Sequence, residues 1–461
     1  MIRLFKHYIP HAVVLLGLID IALLFFAADF GWRLRAGQIG IEAGTIASRF
    51  WQLSGYTGII MLAMIAVGVY GSEALRSMRF ATARLLVATS LGIILLGFVD
   101  FLFGGQNFWR SVLAYAMAGS IIMLVMNRVV VGGILGASAF RRRVLVLGAG
   151  DRARRLQQLS ERPESGFVIV GNVAMTESVP VIEQAIARSA IANLTLHVEN
   201  LGVSEVVLAL EERRNALPLS DLLRIKTTGV HVNDFSSFIE RETGRVDLDT
   251  VNPSWLIFSD GFSSGRAISG AAKRLFDITA SLLLLILATP VIALFAVLVK
   301  IDSKGPAFYR QPRVGLYGQL FDVIKLRSMR TDAEVDGAQF AQENDPRVTR
   351  LGRFIRKVRI DELPQTWSVL KGEMSFVGPR PERPQFVAEL EEQLPFYAER
   401  HMVKPGITGW AQINYPYGAN LEDSRHKLEY DLYYAKNYTP FLDLLILLQT
   451  LRVVLWPEGA R

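Results

Sequence analysis

The chain opens on long apolar runs separated by short polar ones. Residues 53–71 carry no charge and are numerous enough to cross about 30 Å of hydrocarbon as a helix. A second uncharged run, 111–127, lies between Arg110 and Arg128, while 12–28 and 85–103 are broken only by Asp20 and Asp100. Four transmembrane helices within 1–135, an N-terminal four-helix transmembrane domain, are therefore expected. No small-residue cleavage site follows the first run, so it does not read as a removable signal. Asp20 and Asp100 are read as helix–helix hydrogen-bonding groups, with a functional intramembrane role as the lesser alternative. From 141 to 260 the period changes: the β-rich runs GFVIVGNV, VSEVVLAL and GVHVND alternate with helical stretches, predicting a central α/β domain. A Gly/Ser-rich stretch, 261–272, reads as a linker.

A further uncharged run follows, from Ile278 to Val299, but Pro290 sits in its middle with Thr289 beside it to help satisfy the freed backbone groups. Lys273 and Arg274 flank one end and Lys300 and Lys304 the other, so both ends favour the same side of a membrane. Arg3 and Lys6, the basic loop 73–84, and Arg141 to Arg143 put the N-terminus and the α/β domain in the cytoplasm. A re-entrant helix–break–helix over 273–304 would keep 305–461 there too, with an ordinary proline-kinked spanning helix as the alternative that the charge symmetry disfavours. Near the C-terminus Leu444, Leu447, Leu448, Leu451 and Leu455 share one helical face. That pattern reads as an interfacial helix, with a buried core helix as the alternative.

Composition sharpens this. A hydrophobic content of 51% fits a partly membrane-embedded chain, and a net charge of +7 suits anionic lipid, phosphorylated substrates or nucleic acid. With no cysteine and six scattered histidines, disulfides, thiolate nucleophiles and zinc sites are excluded, and any metal should be a hard cation on oxygen ligands.

Two short stretches carry candidate chemistry. In RRRVLVLGAGDRARRLQQL an apolar strand runs into Gly148-Ala-Gly150 and then an amphipathic helix, which resembles the start of a Rossmann βαβ unit. Gly148 and Gly150 are thus candidate nucleotide-binding residues. Ala153 stands where a third glycine would sit, and no acid ends the next strand near Val168–Val173, so a non-catalytic module is the equal alternative. The second stretch is RKVRIDELPQTWSVLKGEMSFVGPRP, residues 356–381. Asp361 and Glu362 stand at a helix start behind Arg350, Arg353, Arg356, Lys357 and Arg359, with Arg380 and Arg383 downstream. Asp361 could be a simple N-cap. The basic setting argues for more: a helix start binds phosphate, and the arginines would hold both carboxylates ionised. An ionised carboxylate beside a bound diphosphate can attack phosphorus, and its neighbour can hold Mg²⁺.

Taken together, KRLFD, the mid-helix ATP, GPAFYRQPRVGLYGQLFDVIKLRSM, the stretch from NDPRVTRLGRF to GPRP, and RHMVKPGITGWAQIN resemble the bacterial sugar transferases, the monotopic polyprenyl-phosphate hexose-1-phosphate transferases. The resemblance runs from Lys273 to about Pro457 and implies an α-rich phosphoglycosyl transferase domain over 305–461 in the cytoplasm, at the bacterial inner membrane. It implies that a UDP-sugar and undecaprenyl phosphate give undecaprenyl-diphosphate sugar and UMP. Asp361 would be the nucleophile and Glu362 the Mg²⁺ ligand. Lys325, Arg327, Arg356 and Arg380 would bind substrate phosphate. Lys273, Arg274 and Asp277 would stand where the chain meets the membrane, with the break at Thr289-Pro290. Two departures stand out: Leu326 in KLRSM replaces an aromatic residue, and Tyr-Pro-Tyr-Gly follows WAQIN where many members have Asn-Gly-Arg. The latter resembles the exopolysaccharide subgroup, making glucose the expected hexose, then galactose, then an N-acetylhexosamine. Expected partners are thus the UDP-sugar, undecaprenyl phosphate and membrane lipid, not nucleic acid, with a homodimer left open. A nucleotide-sugar oxidoreductase or epimerase acting through Gly148–Gly150, and a non-enzymatic membrane scaffold, are the alternatives.

Overall fold

The structure, a computed structural model, describes residues 2–4, 7–9, 11–70, 78–103, 110–135, 141–162, 165–175, 181–211, 217–251, 267–333, 345–415, 418 and 420–455. The chain divides into two compact units, Met1–Thr243 and Gly244–Arg461.

In the first unit a short antiparallel hairpin, β1 (Ile2–Leu4) and β2 (His7–Ile9), precedes four long helices: α1 (His11–Gln38), α2 (Phe50–Val67), α3 (Met78–Phe103) and α4 (Arg110–Leu135). Each of the four contains a stretch long and apolar enough to cross a membrane. All four contribute to one core, with Leu24, Leu53, Ile60, Leu85 and Leu124 buried together. Asp20 is wholly buried and fully engaged, accepting from Tyr70 Oη (2.7 Å), Asn127 Nδ2 (2.9 Å) and Arg128 Nη2 (2.6 Å). It ties α1 to α4, as a polar group inside an apolar bundle should. Asp100 lies on α3, its side chain outside the described residues.

The remainder of this unit is an α/β sheet. Its elements are β3 (Arg142–Leu147), α5 (Asp151–Glu161), β4 (Phe167–Ala174), β5 (Ile186–Ala187), α6 (Leu194–Asn200), β6 (Glu205–Leu208), α7 (Leu219–Thr227), β7 (His231–Asp234) and α8 (Phe235–Thr243). The strands are parallel in the order β5-β4-β3-β6-β7. Burial on both faces explains the continuous Val-Leu-Val-Leu of β3, whose last four residues are all buried. The strand order reverses between β3 and β6, so the loops after these strands, 148–150 and 209–211, share the crevice where such sheets bind ligands.

The second unit starts earlier than the expected boundary at 260. Val246 and Leu248 are buried with Leu428 and Leu432, so 244–251 belong to this core; 252–260 lie outside the described residues. The expected linker also shortens, because α9 (Ala267–Asp302) already includes 267–272, while 261–266 lie outside the described residues. Where a helix–break–helix is expected, α9 runs as one helix through Thr289 and Pro290. Proline removes a single N–H, and the turns on either side keep their bonds; Thr289 Oγ1 donates to the Leu285 carbonyl at 2.6 Å. The middle of α9 presents Leu283, Ile286, Leu287 and Leu294 outward, all highly exposed.

After α9 come the hairpin β8 (Phe308–Val314) and β9 (Leu320–Leu326), then α10 (Arg350–Lys357), a 3₁₀ segment Ile360–Gln365, α11 (Thr366–Lys371), β10 (Ser375–Val377), α12 (Pro384–Gln393), a 3₁₀ turn Ala398–Met402, β11 (Gly406–Thr408), α13 (Trp410–Asn414), α14 (Leu421–Asn437) and α15 (Pro440–Leu455). Among the described side chains of α15, Leu442 and Ile446 are fully buried, while Leu444 of the anticipated stripe is exposed; the side chains of Leu451 and Leu455 lie outside the described residues. The helix therefore docks one side in the protein core and leaves part of the other apolar face outward.

Candidate active site

The site is built where α10 gives way to the 3₁₀ segment. Thr349 caps α10 by accepting from Gly352 N at 2.9 Å. The chain leaves through Arg359, a non-glycine residue at φ 59° in the left-handed region, a strained choice that turns the backbone sharply. Asp361 and Glu362 fall in the first turn beyond it, followed by Pro364. Neither acid is the cap: that position belongs to Arg359, so the N-cap reading of Asp361 does not hold.

Glu362 is ringed by cations on one oxygen. Its Oε1 lies 3.1 Å from Lys325 Nζ at the end of β9, 3.6 Å from Arg380 Nη2 and 3.6 Å from Arg359 Nη1. Burial alone would raise its carboxyl, but Lys325, Arg380 and Arg359 together outweigh it and hold it at about 2. Asp361 differs. Burial and the neighbouring Glu362 push its carboxyl above the ordinary range, against the pull of Lys325, Arg359 and Arg356. The cation field thus depresses only Glu362; Asp361, nearly closed off from solvent and beside a like charge, is pushed the other way. Its Oδ1 is buried with no hydrogen-bond partner. An orphaned carboxylate oxygen among cations is costly to keep, and is a reason to look for a missing ligand.

Other anticipated residues divide. Lys325, Arg356 and Arg380 gather around the acid pair. Arg327 does not: it is buried at the end of α9, donating to the Ser303 carbonyl (2.6 Å) and the Lys304 carbonyl (3.1 Å). It closes the last turn of that helix, where a cation satisfies orphan carbonyls. Lys273 donates to Asp443 (2.6 Å), Tyr434 Oη (3.2 Å) and the Val377 carbonyl (3.0 Å). Arg274 donates to the Val369 and Leu370 carbonyls at the end of α11 (2.8 and 2.7 Å), and Asp277 accepts from Ser375 Oγ and Phe376 N, both at 3.1 Å. The foot of α9 is therefore fastened to the same unit as its far end, where Val299 packs on Leu326 and Ile355 and Phe295 stacks on Phe354. The buried Arg400–Asp431 pair has no signature in the sequence, since its two residues stand 31 positions apart.

Mg²⁺ fits this pair. Such an ion uses one or two carboxylates and completes its shell with water and substrate phosphates, so a lone acid pair with an unpartnered Oδ1 suffices. Among the described residues there is no cluster of three or more metal-binding side chains.

The glycine motif meets a different fate. Gly148, at φ 141°, lies so close to β6's exit that a Cβ would sit 2.4 Å from the Ala209 carbonyl oxygen. This glycine serves backbone packing. At the start of α5, Glu211 Oε1 accepts from Asp151 N at 2.8 Å, and a Cβ on Gly150 would meet the same oxygen at 2.2 Å. A carboxylate of the chain itself occupies the seat that a diphosphate would need.

Two family models match the chain: bacterial sugar transferase over residues 268–457 and CoA-binding domain over 65–227. The residues at the α5 start do not fit the diphosphate of CoA, because Glu211 presents like charge where that group would lie. Among curated relatives, the N-acetylgalactosaminephosphotransferase acting on undecaprenyl phosphate from Aeromonas hydrophila is 44% identical over 240 residues, 52% of this chain and 56% of its own length. The undecaprenyl-phosphate glucose phosphotransferase of Komagataeibacter xylinus is 45% identical over 194 residues, 41% and 36% of the two chains. In those two, the matched region thus spans about half or less of the relative's length. The UDP-glucose:undecaprenyl-phosphate glucose-1-phosphate transferase of Xanthomonas campestris pv. campestris is 31% identical over 372 residues, 77% of this chain and 76% of its own. With its acid pair, cation ring and docked apolar helix inside the matched region, the chain belongs to the bacterial sugar transferase family.

Proposed function

We propose that the chain transfers hexose-1-phosphate from a UDP-sugar to undecaprenyl phosphate, releasing UMP, as the first membrane step of exopolysaccharide assembly. The observation that carries this reading is the pairing of an unpartnered, buried Asp361 Oδ1 with a Glu362 held ionised by Lys325, Arg359 and Arg380. In the first half-reaction an Asp361 carboxylate oxygen bonds to the β-phosphorus of the UDP-sugar. The bond from that phosphorus to the oxygen bridging the α-phosphate breaks, and the electron pair leaves with UMP. In the second, an oxygen of the lipid phosphate attacks the same phosphorus, and the Asp361 carboxylate is restored. Lys325, Arg356 and Arg380 hold the diphosphate in place. Mg²⁺ on Glu362, with Asp361 beside it, would supply positive charge to neutralise the phosphate oxygens.

The lipid's phosphate reaches only the membrane boundary, so the geometry of α9 matters. Both its ends are fastened to one unit, Lys273 and Arg274 at the foot and Val299 with Arg327 at the far end. That supports a segment which enters the bilayer and returns to the cytoplasmic face of the inner membrane. The chain has no cysteine, so single cysteines placed at the exposed Ala271 and Asp302 report topology directly. Labelling of both from the cytoplasmic side is expected; labelling of Asp302→Cys from the periplasm alone rules out re-entry.

Glucose is the proposed hexose, favoured by the Xanthomonas relative that covers most of both chains. The Aeromonas relative favours N-acetylgalactosamine as the second reading. Purified protein with undecaprenyl phosphate, Mg²⁺ and a panel of UDP-sugars tests both: UMP release is expected, whereas UDP release would indicate ordinary glycosyl transfer and overturn the proposal.

A further inference from the structure

A cleft opens between α12, the Ala398–Met402 turn and α14, with about 430 Å³ of empty space counted out to its open mouth. Its lining includes Glu382, Phe386, Tyr397, Arg400, Lys427 and Asp431, the mixture of aromatic faces and a few convergent polar groups that ligand sites present. The inner wall is rigid: Arg400 and Asp431 are almost wholly buried, joined by Nη2–Oδ2 (2.7 Å) and Nε–Oδ2 (3.0 Å) contacts, and Arg400 Nη1 donates to Tyr397 Oη at 3.0 Å. A fully engaged polar network of this kind holds fixed geometry and discriminates by shape.

The cleft adjoins the acid pair through one loop. Arg380 reaches Glu362 with its guanidinium at 3.6 Å, while its own carbonyl accepts from Arg400 Nη2 at 3.0 Å. Glu382, two residues further, lies within about 7 Å of chain from Arg380 and lines the cleft. Its carboxylate stands 3.4 Å from Arg313 Nη1. The charges lining the cleft balance, Arg400 against Asp431 and Lys427 against Glu382, in contrast to the cation-rich ring at Glu362. A phosphate is drawn to that ring; the cleft suits an uncharged group with many hydroxyls and apolar C–H faces, the latter against Phe386 and Tyr397.

We propose that this cleft holds the hexose ring of the nucleotide sugar, with Glu382 and Lys427 reading its hydroxyls, while the diphosphate lies at Lys325, Arg380 and the acid pair. This rests on the transferase reading above. A site built to hydrogen-bond hydroxyls rejects analogues that misplace them, because its own polar groups are then left unpaired. The cleft is thus a specificity determinant for both half-reactions, since the sugar stays with the enzyme after UMP has gone.

The test uses the full chain in nanodiscs with UDP-glucose, UDP-galactose and their N-acetylated counterparts, comparing wild type with Glu382→Gln and Lys427→Met by UMP release. kcat/KM for the preferred donor is expected to fall about tenfold or more, the ratios between sugars to move toward one, and inhibition by UMP to stay unchanged. Lys427→Arg is expected to restore part of the discrimination, which a mere folding defect would not allow. Unchanged sugar ratios, or UMP inhibition weakening in step with donor KM, would overturn the cleft assignment alone, the latter giving it to the nucleoside. No UMP from any donor with wild type would overturn the transferase reading and this assignment with it.

Discussion

Two helix starts in this chain advertise anion binding, and they differ in what already sits there. At α5 the loop Gly148–Gly150 has the shape of a phosphate seat, at the point where strand order reverses, yet Glu211 takes the first amide of the helix. At the 3₁₀ segment the chain supplies the carboxylates itself, surrounds Glu362 with Lys325, Arg359 and Arg380, and leaves Asp361 Oδ1 unpartnered. Motif shape is the same kind of signal in both. Only the second combines unmet hydrogen-bonding capacity with charge of the sign that a phosphorylated substrate needs.

The comparison breaks most sharply at Asp361. Asp361→Asn is expected to lower UMP release by about a thousandfold or more, and to abolish a phosphosugar adduct trapped when lipid acceptor is withheld. A mass-spectrometric adduct on any other side chain would end the account. Next in size is Lys325→Met. Glu362, now held at about 2, loses its nearest cation and its carboxyl rises. A depressed carboxylate contributes stability above its ordinary pKa, lost as pH falls toward the depressed value, so the variant should lose this support at higher pH than wild type. Both the acid limb of kcat/KM and acid unfolding followed by fluorescence should shift upward in pH.

At the α5 start the expected effects are structural. Gly148→Ala places a Cβ against the backbone oxygen of Ala209 at a positive φ, and should cost about 1–3 kcal/mol, read as a lower melting temperature with the kcat of the folded protein preserved. The smallest effect belongs to CoA. Calorimetry on wild type should show no binding at this seat, and Glu211→Ala, which uncovers the α5 amides, should bring at most weak, salt-sensitive binding. Tight binding by wild type would show that Glu211 yields its place.

Much was legible from pattern alone. Apolar runs, two of them broken only by Asp20 or Asp100, announce four helices long and apolar enough to cross a membrane, because a chain inside hydrocarbon must satisfy its own backbone groups within each segment. Asp20 was readable as an interhelical tie, although Arg128, Asn127 and Tyr70 as its partners were not. The cluster of Lys325, Arg356 and Arg380 about the acid pair follows the resemblance, whereas Arg327 departs from it to close the end of α9.

Local chemistry, then, was written in the linear chain: which runs are apolar, which residues are charged, and that two acids stand together behind a basic stretch. Tertiary structure decided which charges meet. Periodicity and propensity act over a few neighbouring residues, while the raised carboxyl of Asp361, the plug at α5 and the cleft wall of Arg400 and Asp431 arise from burial and from contacts between residues tens of positions apart.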